Sequence, residues 1–231
     1  DFLCAVLGAR ATVNKLYDQS FSPKFKTLLS AYVSAVNKYA QLHPDKVWIK
    51  DAFPVTEKDV IVGYTVGLAL MTNVPFAIMK ITDGTIEHPS ISTPHGSNGF
   101  AVNGNKTKDG NTYLGINSHQ PLEGPYSWYE AHLHSDEGWN ILGATFPGGV
   151  TIFHGANKNL GWAHTISFAD HDDIYKLTMH PTQKLTYQFD GKWLKLKQHK
   201  IRMWVKLFWI IKIPVTKSYY ESVYGPVLEK N

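Results

Sequence analysis

Apolar residues recur every three or four positions between Pro23 and Leu42, where Phe25, Leu28, Leu29, Tyr32, Val33, Val36 and Tyr39 form one stripe. That period is helical, so the segment predicts an amphipathic helix ending near His43-Pro44, where a proline ring cannot continue it. A second start follows at Pro54-Val55-Thr56-Glu57-Lys58-Asp59: Thr56 is placed to cap, acids fill the first turn, and the apolar run Val60 to Met71 comes behind them. After about Pro94 the pattern changes to short alternating segments broken by Gly, Asn and Pro, which predicts many strands and tight turns. The strand candidates are residues 100–102, 113–116, 129–133, 139–144, 150–153 and 162–166. In "IRMWVKLFWIIKI", residues 201–213, Arg202, Lys206 and Lys212 alternate against Met203, Val205, Leu207, Trp209 and Ile211. A membrane-surface helix would need a period of 3.6, so the period of two predicts a strand here. Helices first and strands after predict an α+β chain with a mainly helical part at 1–96 and a β-rich part at 97–231, joined at Gly96-Ser97-Asn98.

The composition fits that picture. Of 231 residues, 43% are hydrophobic and 13% aromatic, ample for a substantial core. The net charge of +4 is mild and scattered apart from the lysines between Lys192 and Lys212, which gives no sign of a nucleic-acid surface. No run of about 18 apolar residues is present, so no membrane span is expected. A single cysteine, Cys4, excludes an internal disulfide and a zinc site built on thiolates. The chain starts at Asp1 with neither a methionine nor a charged-then-apolar leader, so either a targeting segment has been removed or the chain is a piece of something longer.

Candidate chemistry is sparse when read residue by residue. His95-Gly96-Ser97-Asn98-Gly99 does not match a Gly-x-Ser-x-Gly elbow and, taken alone, reads as a surface turn. His119 precedes Gln120-Pro121 and suits a hydrogen-bonded loop position as well as a catalytic one. His132 and His134 have the spacing of two ligands on one strand face, with no third at a telling distance. In "FADHDDIY" the carboxylates of Asp170, Asp172 and Asp173 crowd into four positions, which leaves open a calcium site or a solvated acidic turn. Aromatic residues around Trp204, Phe208 and Trp209 would suit a lipid or partner surface.

Together, "LLSAYVSAVNKYAQ", "FPVTEKDVIVGY", "GSNGFAV", "WYEAHL", "FPGGVTIFHGANKNLGWAHT", "HDDIY" and "YGPVL" resemble, in this order and spacing, the penicillin acylase family of N-terminal nucleophile hydrolases. That family includes penicillin, cephalosporin and acyl-homoserine lactone acylases. The resemblance implies part of an αββα sandwich. It also implies a precursor that cuts itself between Gly96 and Ser97, giving an α/β heterodimer whose new N-terminal Ser97 is both nucleophile and base for hydrolysis of a small acyl amide. Ile166 falls where the family places a backbone N–H oxyanion donor, and His119 beside the nucleophile. Asp170 and Asp173, with the Asp172 carbonyl, fall at structural calcium positions. No organic cofactor is implied, and the location is periplasmic or secreted. The family's second oxyanion donor, an asparagine, and a nearby arginine would lie beyond Asn231. The alternative is a catalytically silent, calcium-stabilised relative or binding domain on the same scaffold.

Overall fold

The computed structural model describes residues 2–72, 78, 96–167, 169, 173–207 and 211–228. Among the described residues four α-helices with defined bounds come first: α1 (Phe2–Val6), α2 (Ala9–Ser20), α3 (Pro23–Leu42) and α4 (Glu57–Met71). Eleven strands follow among the described residues, all in antiparallel ladders, so the chain is α+β. It divides into two compact units: Asp1–Lys26, Val47–Pro89 and His171–Asn231 form one, and Thr27–Lys46 with Ser90–Asp170 the other.

In the second unit β1 (Ser97–Val102) pairs with β2 (Tyr113–Ser118), so that Ser97 faces Ser118 and Phe100 faces Gly115. A four-stranded sheet runs in the order β3 (Tyr129–Ser135), β4 (Trp139–Thr145), β5 (His154–Ala156) and β6 (Gly161–Trp162). Where β4 meets β5, Gly143 lies opposite Gly155. A methyl group on Gly143 would overlap the His154 carbonyl oxygen and the Gly155 backbone, so the absence of a side chain is what lets β5 approach this closely. Phe146, Ile152 and His154 are buried beside it. The Trp128 ring stacks on Phe146 with centroids 4.2 Å apart and meets His154 edge-on at 4.5 Å, so large rings fill this core.

The first unit holds the hairpin β7 (Thr186–Phe189) and β8 (Lys192–Lys195), and the sheet β11 (Gly225–Val227), β10 (Ile211–Ser222), β9 (Lys197–Leu207) in that order. α2 buries Ala9, Val13 and Tyr17, one residue per turn, and packs on α4. α4 begins at a capping box: the Asp59 N–H donates to Thr56 Oγ1 at 3.3 Å, and the Thr56 N–H donates to Asp59 Oδ2 at 2.7 Å. The Arg10 guanidinium lies 2.6 Å from the same carboxylate and joins α2 to that cap.

Three expectations need correction. Residues 150–153 form no strand: the chain turns after Gly148 (φ +85°), and the strand starts only at His154. Of residues 162–166, only Trp162 lies in a ladder. The alternating segment 201–213 is not one strand but the end of β9 and the start of β10.

Candidate active site

Ser97 opens β1 and is half-buried, and the Gly96 carbonyl just before it accepts the His119 N–H at 3.3 Å. That contact follows from the β1–β2 register: with Ser97 set against Ser118, the residue after β2 meets the residue before β1. A Cβ on Gly96 would come within 3.3 Å of His119 Nδ1, so the imidazole borders the Gly96-Ser97 bond. His119 is otherwise exposed, with Nε2 3.4 Å from the Asn117 amide nitrogen.

The Ile166 N–H donates to Ser97 Oγ at 2.7 Å, a contact between residues 69 apart in the chain. The segment that carries it leaves β6 and runs along β1: Ala163 and Thr165 lie in van der Waals range of the Cβ position of Gly99. Four of the residues singled out from the sequence, Gly96, Ser97, His119 and Ile166, are thus gathered at one end of β1. A hydroxyl beside a free-standing backbone donor is an arrangement that can hold a carbonyl oxygen when a substrate carbon meets the serine.

The acidic cluster is described only in part, since Asp170 and Asp172 lie outside the described residues. Asp173 belongs to the other compact unit, where its carboxylate accepts the Tyr175 hydroxyl at 3.3 Å. The Asp173 charge raises the Tyr175 pKa, with smaller contributions from burial and from that hydrogen bond. Of the two β3 histidines, His132 has a partner of another kind: its Nε2 lies 2.7 Å from Asn140 Oδ1 across the β3–β4 hairpin. Of the aromatic trio, Trp204 is exposed with the Arg202 guanidinium 5.3 Å over its ring, and Phe208 and Trp209 lie outside the described residues.

One residue in the site's surroundings was not assigned a role from the sequence. His154, 5% exposed, contacts Ser118 Oγ through Nε2 at 3.0 Å and accepts the His164 N–H at Nδ1 at 2.9 Å. An Nδ1 that accepts carries no proton, so the ring is neutral with its hydrogen on Nε2, which it donates to the serine. Burial, with the nearby His164 second, pushes the His154 pKa below its ordinary value of 6.5 and favours that neutral form. The available signal was a polar residue inside the apolar run "GVTIFHGA": a buried imidazole requires partners.

The α+β architecture brings these residues together at the end of β1, and comparison with known proteins gives the family. The penicillin amidase family profile matches residues 1–231, and the chain belongs to that family. Over 134 residues it is 31% identical to the acyl-homoserine lactone acylase PvdQ of Pseudomonas fluorescens, a match covering 58% of this chain and 17% of that protein. Over 151 residues it is 26% identical to the aculeacin-A acylase of Actinoplanes utahensis, covering 65% of this chain and 18% of that protein. Among solved structures it is similar to a thermostable penicillin G acylase from Alcaligenes faecalis, with a TM-score of 0.46 and 25% identity over 57% of this chain and 23% of that one. The chain thus matches under a fifth of the length of these curated relatives.

Proposed function

We propose that this chain carries the nucleophile region of an acylase that hydrolyses the linear amide between an acyl group and an amine. The observation that carries the reading is the 2.7 Å hydrogen bond from the Ile166 N–H to Ser97 Oγ, at a Gly-Ser step in a penicillin amidase family chain. Processing comes first. Ser97 Oγ attacks the Gly96 carbonyl carbon, the C–N bond breaks as the acyl group shifts from nitrogen to oxygen, and water hydrolyses the resulting ester. The products are a carboxylate on Gly96 and a free amine on Ser97. The His119 N–H on the Gly96 carbonyl favours this step, because a donor on that oxygen makes its carbon more electrophilic.

The new amine then supplies the base. An α-amino group titrates at about 7.7 to 8.0, so near neutral pH a useful fraction is unprotonated and can take the serine proton directly or through water. The serine attacks the amide carbonyl while the amine passes that proton to the leaving nitrogen. Water then hydrolyses the acyl ester by the same route. The Ile166 N–H stabilises the developing oxyanion, and the His119 imidazole is a supporting hydrogen-bonding group beside the nucleophile.

The same reading includes the αββα sandwich, an α/β heterodimer with the remainder of the precursor, and a periplasmic or secreted location. It also includes a calcium ion on the Asp170 and Asp173 carboxylates and the Asp172 carbonyl. An all-oxygen donor set within four residues suits a hard cation. Such an ion would neutralise carboxylates that otherwise repel one another and would serve structure rather than chemistry. Among the described residues no helix is long and apolar enough to cross a membrane.

The test compares the full-length protein with its Ser97→Ala variant by intact mass, N-terminal sequencing and hydrolysis of a panel of acyl amides. A chain beginning at Ser97, and its loss together with activity in the variant, is the expected result. A parent that yields no such chain, or a variant that keeps full activity, overturns the reading in favour of a silent scaffold relative.

A further inference from the structure

We propose that His154 is a positioning residue for the oxyanion donor, its two ring nitrogens locking the strand opposite the nucleophile to the segment that carries the Ile166 N–H. The inference rests on the reading of that N–H as the oxyanion donor.

The two contacts of the ring lead to the two sides of the site. Ser118, on Nε2, is the residue directly opposite Ser97 in the β1–β2 ladder. His164, on Nδ1, lies two residues before Ile166, a span of at most about 7 Å of chain. Residues 163–166 belong to no strand ladder among the described residues. Fixing the His164 N–H therefore restricts the backbone that aims the Ile166 N–H at Ser97. Aim matters because a donor displaced by a fraction of an ångström loses most of its advantage in the transition state.

The ring is itself fixed. Its backbone pairs with Ala144 on β4, the Trp128 ring meets it edge-on at 4.5 Å, and Phe153 and His164 flank it at 5.4 Å each. Purely apolar packing would not need an imidazole. A phenyl ring would fill similar space while leaving Ser118 Oγ without its donor and the His164 N–H without its acceptor, and a buried group left unpaired is costly. Only the neutral tautomer with hydrogen on Nε2 accepts at Nδ1 and donates at Nε2, as these two contacts require.

That asymmetry allows the two contacts to be separated. In the full-length protein, His154→Asn keeps an acceptor near the Nδ1 position and so can hold the His164 N–H, whereas His154→Gln keeps a donor near the Nε2 position and can hold only Ser118. The expected result with an acyl amide substrate is a kcat at least about tenfold higher for His154→Asn than for His154→Gln, with KM values within about threefold of each other and similar melting temperatures. Equal kcat values, or losses that simply follow melting temperature, overturn the proposal. Nitrogen-15 NMR of the histidines in the parent protein is a second measurement that needs no variant. The expected tautomer of His154 carries its hydrogen on Nε2, and an Nδ1-protonated ring overturns the lock. Failure of the underlying reading looks different, since Ser97→Ala or Ile166→Pro would then leave turnover intact. If both abolish turnover while His154→Asn and His154→Gln behave alike, only the positioning role is lost.

Discussion

Replacing Ile166 by proline removes one hydrogen from the site, the N–H that donates to Ser97 Oγ at 2.7 Å. Two magnitudes follow, and their difference carries the test. As a ground-state hydrogen bond to a serine hydroxyl, the contact is worth about 0.5 to 1.5 kcal/mol of stability. As a donor to a developing oxyanion it is worth about 2.7 to 4 kcal/mol, or a hundredfold to a thousandfold in kcat. A donor that only holds the resting serine would therefore show itself mainly in the melting curve, and an oxyanion donor mainly in turnover. Residues 163–167 lie in no helix, and residue 165 has no helical conformation for a following proline to disturb. Ile166→Ala is the control, because it keeps the N–H while removing the half-buried side chain. The assay is hydrolysis of one acyl amide by full-length, processed enzyme, with kcat taken at saturation and melting followed by circular dichroism. The expected order is parent, then Ile166→Ala within a few-fold, then Ile166→Pro lower by at least a hundredfold. A folded, processed Ile166→Pro enzyme whose kcat lies within threefold of Ile166→Ala would refute the assignment.

Calcium and pH give two further outcomes. Full-length protein melted in calcium at about 100 times its Kd should gain about 2.7 kcal/mol over protein in excess chelator, and Asp173→Asn should erase most of that difference; superimposed curves would rule the ion out. The depressed pKa of His154 makes the unfolded chain bind more protons than the folded one just below pH 6.5. Stability from the neutral ring is therefore fully present above that pH and is lost as pH falls through the folded-state value. His164 is the titratable neighbour that also opposes charging of this ring. The melting temperature of the parent should fall more steeply below pH 6.5 than that of His154→Asn, and parallel slopes would show that the ring does not contribute.

Much of this was legible in local pattern. The stripe from Phe25 to Tyr39 and the cap at Thr56 correspond to α3 and α4, since helix signals are confined to neighbours three or four residues apart. Four strand candidates fall within β1, β2, β3 and β4 for the same reason, with alternation read over a few residues. The merged segment 201–213 failed on parity. Every partner pair between β9 and β10 joins two odd or two even numbers, as in Met203 with Val215, so the period-two pattern passes through the hairpin without a break. Residues 150–153 failed for another reason: an apolar run records burial, and Ile152 is buried from an irregular segment rather than a strand. Ser97, His119 and Ile166 could be named only through the resemblance, because nothing in their own neighbourhoods marks them. His154 was beyond reach in its role, because both of its partners are set by tertiary register.

That register is the common cause behind the site. A one-residue slip of β1 against β2 would turn every side chain of the strand to the opposite face and move Ser118 away from Ser97. Two contacts oppose the slip from different sides. At the centre of the ladder the Phe100 ring lies over Gly115, where an added side chain would have to displace it. At its end Ser118 is held by His154, which sits in a different sheet. The serine hydroxyl therefore meets the Ile166 N–H because two independent contacts fix which residue faces which. Loss of either should loosen the site before it unfolds the unit.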